Sequence, residues 1–216
     1  MATDRDCPLC PRLVALRTRL RAEHDSAADP WHNAPVPAFG PIEARLLIVG
    51  LAPGLRGANR TGRPFTGDYA GTLLYATLKR HGFATGDYDA RPDDGLALND
   101  CRIVNAVRCL PPENKPVAAE VNACRPFLAA EIAAMPRLAA ICTLGGIAHG
   151  ATLRTLGRRR AEAPFRHGVL HDLGDGRVLA PSYHCSRYNT NTGRLTETMF
   201  DAVFAALRAY LDRIEG

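Results

Sequence analysis

No run of apolar residues in this 216-residue chain comes near the ~20 that a membrane-spanning helix requires. The first ten residues, MATDRDCPLC, are polar and acidic, without the basic-then-apolar order of a secretory signal. Both absences point to a cytoplasmic protein. There is no internal repeat, no low-complexity tract and no sign of a second domain, so residues 1–216 are expected to form one domain with a full core. Phosphate-binding signatures are missing too. The Gly-rich stretch after the first apolar run has no Gly-Lys-Ser/Thr close and is not GxGxxG, which sets a kinase or dehydrogenase aside.

What is present is ordinary in bulk: 46% hydrophobic and 23% charged residues, as in a globular protein. The net charge of +5 only raises the prior for a polyanionic partner. The arginines are clustered, at Arg56, Arg60 and Arg63, at Arg158-Arg159-Arg160, and at Arg187 and Arg194. For the Arg158–Arg160 run, a solvated surface stretch is the competing reading. Seven cysteines, an odd number, argue against a disulfide framework. Cys7 and Cys10 form a Cys-x2-Cys pair, and Cys109 and Cys124 a wider one. Cys101, Cys142 and Cys185 lie in or beside apolar runs and read as small buried hydrophobes.

The organisation is an alternation. Arg12 to Arg21 predicts a helix with Leu13, Leu16 and Leu20 on one face. Residues 25–41 are a Pro-punctuated irregular segment. Strand-like runs LLIVGLA, CRIVNAV, LAAICTLG and RVLAPSYH then alternate with helical stretches, one of them expected to break near Pro126. The final helix carries Phe200, Val203, Phe204, Leu207 and Leu211 on one side. Continuous apolar strands between helices predict an α/β fold with a parallel sheet covered on both faces. Ligands of such sheets bind at the carboxyl ends of the strands. That rule brings three polar stretches to one rim: Gly50 to Asp68, the neighbourhood of Asn105, and Ser182 to Asn189. The first holds five glycines and three arginines in 19 residues, which suits an anionic or planar ligand against bare backbone.

GLAPG…NRTGRPFTGD, NAVRC and SYHCSRYNTNTGRL, in that order and with CPLC ahead of them, resemble the motifs of the uracil-DNA glycosylase superfamily. More narrowly they are similar to its iron–sulfur B type, family five. The resemblance runs from Cys7 to the last helix. It implies a three-layer α/β/α sandwich with a short central parallel sheet. It also implies a DNA repair hydrolase that flips a base out of the duplex into a pocket.

On that resemblance Phe65 stacks on the flipped base, and Asn105 bonds its polar edge with an amide that both donates and accepts. His184 stabilises the negative charge of the leaving base. Gly50, Leu51 and Ala52 line the pocket with backbone. Ser186 and the amides around it hold phosphate, Arg56, Arg60, Arg63 and Arg187 bind DNA, and Tyr188 falls where an apolar wedge enters the duplex. The competing readings stay beside these: a core aromatic for Phe65, a satisfied structural amide for Asn105, a satisfied histidine for His184.

The chain also departs from the superfamily pattern. The turn after the first strand reads Leu51-Ala52, where better-known members have Asp, Asn or Glu. Asp68 is then the best carboxylate to position water or offset the sugar cation, unless it is only the N-cap of the following helix. Cys185 and Arg187 replace prolines common in the last motif, which puts the rigidity of that loop in doubt. Cys7, Cys10, Cys109 and Cys124 match the family's [4Fe–4S] ligands, with a structural role; four cysteines also hold zinc. No lysine stands in the motifs as a Schiff-base nucleophile, which points to a monofunctional enzyme. The substrates implied are DNA carrying uracil, and by the open Ala52 position also hypoxanthine and xanthine, with the protein acting as a monomer at the nucleoid. A non-catalytic binder of damaged DNA is the rival class.

Overall fold

Four five-residue strands form the centre: β1 (Leu46–Gly50), β4 (Cys101–Asn105), β5 (Ala140–Leu144) and β7 (Val178–Ser182). The computed structural model describes residues 4–24 and 29–214. These strands are apolar at successive positions, so both sheet faces must be covered. The sheet order is β4-β1-β5-β7-β6. Pairing is parallel from β4 through β7, with Gly50 opposite Asn105 and Leu144 opposite Ser182. The parallel prediction fails only at the edge, where the two-residue β6 (His171–Asp172) runs antiparallel to β7.

Alternation along β1 divides the core. Leu46 and Ile48 face α3 (Tyr69–Arg80) and α7 (Glu197–Arg213), against Leu74, Leu78, Phe204 and Leu207. Leu47 and Val49 face the other layer, built by α1 (Pro11–Glu23), α4 (Ala118–Ala134) and α5 (Gly146–Thr155). The result is the expected three-layer α/β/α sandwich. All five residues named on the last helix are buried, each contributing about 1.5–3 kcal/mol. Cys101, Cys142 and Cys185 are fully buried.

Several local expectations are corrected. Helix α1 buries Arg17 with Leu13 and Leu20, and leaves Leu16 half-buried. Helix α4 runs through Pro126 without ending. The missing amide and ring clash cost about 3 kcal/mol, which the buried stripe of Val121, Cys124 and Leu128 outweighs. A small antiparallel pair, β2 (Ala84–Thr85) with β3 (Ala97–Leu98), lies between α3 and β4. Of the irregular segment 25–41, residues 25–28 lie outside the described residues. The remainder makes an isolated bridge, Phe39 to Ile103. Arg158 and Arg159 turn to Glu162 at the surface, as a solvated run would. No helix among the described residues is long and apolar enough to cross a membrane.

The connections at the strands' carboxyl ends part company. The chain leaves β1 toward β4 but leaves β5 toward β7, and such divergence opens a crevice at that end of the sheet.

Candidate active site

A cavity of about 640 Å³ occupies that crevice. Its wall includes Leu51 and Ala52 after β1, Phe65 and Asp68 before α3, and Asn105 at the end of β4. His184 and Ser186 after β7 close it. All three predicted stretches therefore meet. Gly50 is not on the wall but behind it. A Cβ there would strike the Asn105 amide oxygen and lie 2.7 Å from the tip of the Phe65 ring. The glycine makes room for the pocket's own side chains rather than for a ligand. Gly57 does the same for Asp68, whose carboxylate oxygen would be 2.5 Å from an added Cβ.

Phe65 is 6% exposed and held at φ +53°, a conformation that costs a non-glycine residue on the order of 1–3 kcal/mol. The flanking carbonyls are clamped: Tyr75 donates to Pro64 O at 2.5 Å and Tyr88 to Phe65 O at 3.2 Å. The ring that results lines the pocket, 5.9 Å from the His184 ring. Asn105 is buried, and among the described residues its amide has no protein partner. No bond there supports the reading of a satisfied structural amide, and the group lies on the pocket wall.

Burial pushes the His184 imidazole down to about 4, so the ring is neutral at pH 7. Its Nδ1 is shut from solvent and lacks a protein partner among the described residues. The loop carrying it is fixed despite the missing prolines. Asn189 donates to His184 O at 2.8 Å, Ser186 caps α6 (Arg187–Asn191), and the Cys185 thiol reaches Ala70 O.

Asp68 is the N-cap of the sequence reading and also a pocket residue. Its carboxylate accepts from the Gly71 amide at 3.2 Å as the N-cap of α3, and it also faces the cavity. Burial raises its pKa above the usual carboxylate value, against the pull of the Gly71 and Ala70 amides.

The four arginines assigned to DNA part ways. Arg56 and Arg187 are exposed on the pocket rim, Arg187 with its guanidinium 5.2 Å from the Tyr69 ring. Arg60 lies off the pocket wall and is paired with Asp29 at 3.1 Å. Arg63 is a correction. It is 6% exposed, forked onto Asp94 at 2.9 and 2.7 Å, and within 5.2 Å of the Phe39 ring centre. A guanidinium held there braces the turn that presents Phe65 and does not reach a phosphate. Tyr188, at 72% exposure, lies at the surface.

Three wall residues lie outside the predicted stretches: Tyr69 and Ala70, which directly follow Asp68, and the distant Asn114. Asn114, from the turn between Cys109 and Cys124, enters the pocket. Its only advance signal is an Asn in the Pro-rich stretch PPENKP, a residue type that tolerates left-handed backbone.

Cys7, Cys10, Cys109 and Cys124 line one small separate cavity as free thiols. No group of three or more His, Cys, Asp or Glu among the described residues is gathered for a single ion. Burial raises the Cys109 thiol to about 12 and also raises Cys10 and Cys124, each helped by neighbouring cysteines. Arg17 is buried against them, donating to Cys109 Sγ at 3.8 Å and to Cys7 O at 3.1 Å. Its Nε is buried without a partner among the described residues. A buried guanidinium with an unused N–H, in a cavity walled by four sulfurs, fits an anionic group with further acceptor atoms.

Residues 37–208 match the model of the uracil DNA glycosylase superfamily. The chain belongs to the uracil-DNA glycosylase superfamily. It is 46% identical over 195 residues to a type-5 uracil-DNA glycosylase of Thermus thermophilus, covering 90% of this chain and 89% of that one. A type-5 uracil-DNA glycosylase of Mycobacterium bovis is 45% identical over 92% of this chain and 75% of its own. A type-4 uracil-DNA glycosylase of Pyrobaculum aerophilum is 38% identical over 57% of this chain and 56% of its own. The superfamily match spans all three pocket stretches, from Gly50 to Asn189.

Proposed function

We infer that the protein is a monofunctional uracil-DNA glycosylase that hydrolyses the N-glycosidic bond of uracil in DNA and leaves an abasic site. The observation that carries this reading is the pocket itself. A strained aromatic, an unpartnered amide, a neutral histidine and a carboxylate converge at the carboxyl ends of β1, β4 and β7 in a chain of this superfamily.

A base extruded from the stack lies on the Phe65 ring, and its polar edge meets the Asn105 amide. As the bond to the sugar lengthens, negative charge grows on the base and positive charge on the sugar. Neutral His184 donates a hydrogen bond to the base oxygen, in a site where reduced solvent strengthens the interaction. Asp68 faces the sugar side, offsets its positive charge and orients the water that completes hydrolysis. The small Ala52 leaves room for larger deaminated bases, so hypoxanthine and xanthine are included among the substrates. Arg56, Arg187, Ser186 and Tyr188 bind the DNA around the mouth.

The cysteine corner seats a [4Fe–4S] cluster, held by Cys7, Cys10, Cys109 and Cys124. The donor set and the unused Arg17 N–H support it over zinc, because a cluster's own sulfides are acceptors that a zinc ion lacks. Its role is structural: it joins α1 to the segment 109–124.

The test is incubation with duplexes containing uracil, hypoxanthine or xanthine, followed by alkali. Strand breaks at the uracil position are the expected result. Specific binding with intact strands across all three would instead make the protein a non-catalytic reader of damage.

A further inference from the structure

The turn that delivers Asn114 to the pocket is not held by the pocket. It is built from Pro111 to Lys115, with Asn114 N bonded to Pro111 O at 3.1 Å and Lys115 N to Pro112 O at 3.0 Å. Glu113 and Asn114 are both left-handed, at φ +54° and +57°. Two successive non-glycine residues in that region do not persist unless surrounding structure over-determines them. The outside tie comes from α1. Arg12, two residues beyond Cys10, donates from Nη2 to Lys115 O at 3.0 Å. The same guanidinium forks onto Glu120, Nε to Oε1 at 2.7 Å and Nη2 to Oε2 at 2.8 Å. Glu120 is 4% exposed and also accepts from Val117 N at 2.8 Å, closing the far end of the segment. Planar, two-pronged pairs of this kind fix orientation as well as distance.

Arg12 does not line the catalytic pocket, and it does not line the cysteine cavity. Its contacts reach the pocket only through the turn. We propose that Arg12 is a positioning residue for the glycosylase reaction: with Glu120 it locks the 111–117 segment so that Asn114 stays in the pocket wall. The assignment rests on reading this pocket as the place where the glycosidic bond is cut. It makes α1, which begins directly after Cys10, part of the active-site scaffold, although none of its residues reaches the pocket. Without the tie, the strained turn relaxes toward ordinary backbone and withdraws the amide.

Displacements of about 1 Å from mutations remote from the chemistry cost up to ~10²-fold in rate. Arg12→Ala is therefore expected to slow single-turnover cleavage of a uracil duplex by about 10- to 100-fold. Affinity for uracil-free duplex and metal content per chain should stay at wild-type values. Asn114→Ala should slow cleavage comparably, and the double variant should be no slower than the worse single one, because both changes remove the same amide from the wall. Arg12→Lys, which keeps one donor for Lys115 O, should recover part of the rate. Glu120→Gln, which keeps the side chain's size, probes the same tie if Arg12→Ala folds poorly.

Normal cleavage by Arg12→Ala overturns the proposal. So does additivity in the double variant, which would mean that Arg12 acts elsewhere, and so does a rate loss that tracks loss of metal, which would mean that the ion pair serves the cysteine corner. Failure of the wild-type protein to cleave any of the three damaged duplexes would reject the glycosylase reading itself, a separate outcome read before any variant is made.

Discussion

Among the described residues, the candidate pocket and the cysteine corner each leave a buried polar atom without a protein partner, His184 Nδ1 in one and Arg17 Nε in the other. In other respects they are opposites. The pocket is open, about 640 Å³, and its unpaired groups are a neutral imidazole and an amide. The corner is small and closed over by α1, and its groups are four thiols beside a fixed positive charge. An open pocket walled by neutral groups suits a ligand that comes and goes. Thiols pushed up by burial beside a trapped guanidinium suit a ligand that stays. An unsatisfied polar atom thus marks both kinds of site, and its charge and access tell them apart.

The largest expected effect breaks the permanent side. The wild type should show broad absorbance near ~400 nm and about four irons per chain, and Cys109→Ser or Cys124→Ser should abolish both. Much of the protein should become insoluble, since the segment 109–124 loses its link to α1. Cys142→Ala should keep its iron, because that thiol is buried in the sheet and away from the corner. One zinc per wild-type chain and no iron would reverse the assignment of the corner.

Next in size is His184. Loss of a single oxyanion-type donor costs about 10²–10³ in rate, so His184→Ala should slow every base by that order. Because burial sets its proton equilibrium at about 4, kcat/KM should show no inflection near the ordinary histidine value of about 6.5. The sign for stability follows from the same shift. The unfolded chain takes the proton first, so His184 destabilises the fold as pH falls from about 6.5 toward 4. Urea unfolding of wild type and His184→Ala across that range reads it, the variant losing less.

How much of this was legible depended on whether a residue's fate is local. The β1 alternation, the α7 stripe and the convergence of three loops on one rim follow from strand and helix periods and from a rule about sheet ends, all readable along the chain. Arg63 was not legible. Arg56, Arg60 and Arg63 share one Gly-rich loop, and what buries the third is Asp94, a side chain 1% exposed in the connection between β2 and β3. Burial alone would raise Asp94, but Arg63 and two backbone amides hold it below the usual carboxylate range. Asn114 escaped for the same reason. A contact brought in by the chain crossing from another layer leaves no periodic trace. Arg17 displaced Leu16 from the predicted face because the corner it serves, not hydrophobicity, sets the rotation of α1.

Asp68 sharpens the comparison within the pocket. Desolvation raises its proton affinity, so ionised Asp68 is costly in the fold at neutral pH and that cost is relieved as pH falls through its raised value. Asparagine keeps the cap on α3 without the charge. Asp68→Asn should therefore melt at a temperature equal to or above that of the wild type while cleaving uracil more slowly, with unchanged affinity for uracil-containing DNA. The acid limb of the wild-type rate profile, displaced above the ordinary carboxylate range, should vanish in the variant. Undiminished cleavage by Asp68→Asn would leave the residue a helix cap and no more.

The smallest effect on binding belongs to one of two arginines that share a loop. Arg56 is exposed on the rim and makes no ion pair among the described residues, so its contact with a phosphate releases about one counterion. Arg56→Ala should weaken binding to any duplex modestly, lowering the slope of log affinity against log salt by about 0.9, with melting unchanged. Arg63→Met should do the reverse. Removing it strands Asp94, a carboxylate buried to 1% exposure, and breaking one partner of a buried pair costs about 3–5 kcal/mol. The salt slope of the folded fraction should stay where it was, since a guanidinium inside the protein has no counterion to release. A salt slope that falls in Arg63→Met would put that arginine back on the DNA, and would mean that the turn opens when the strand is bound.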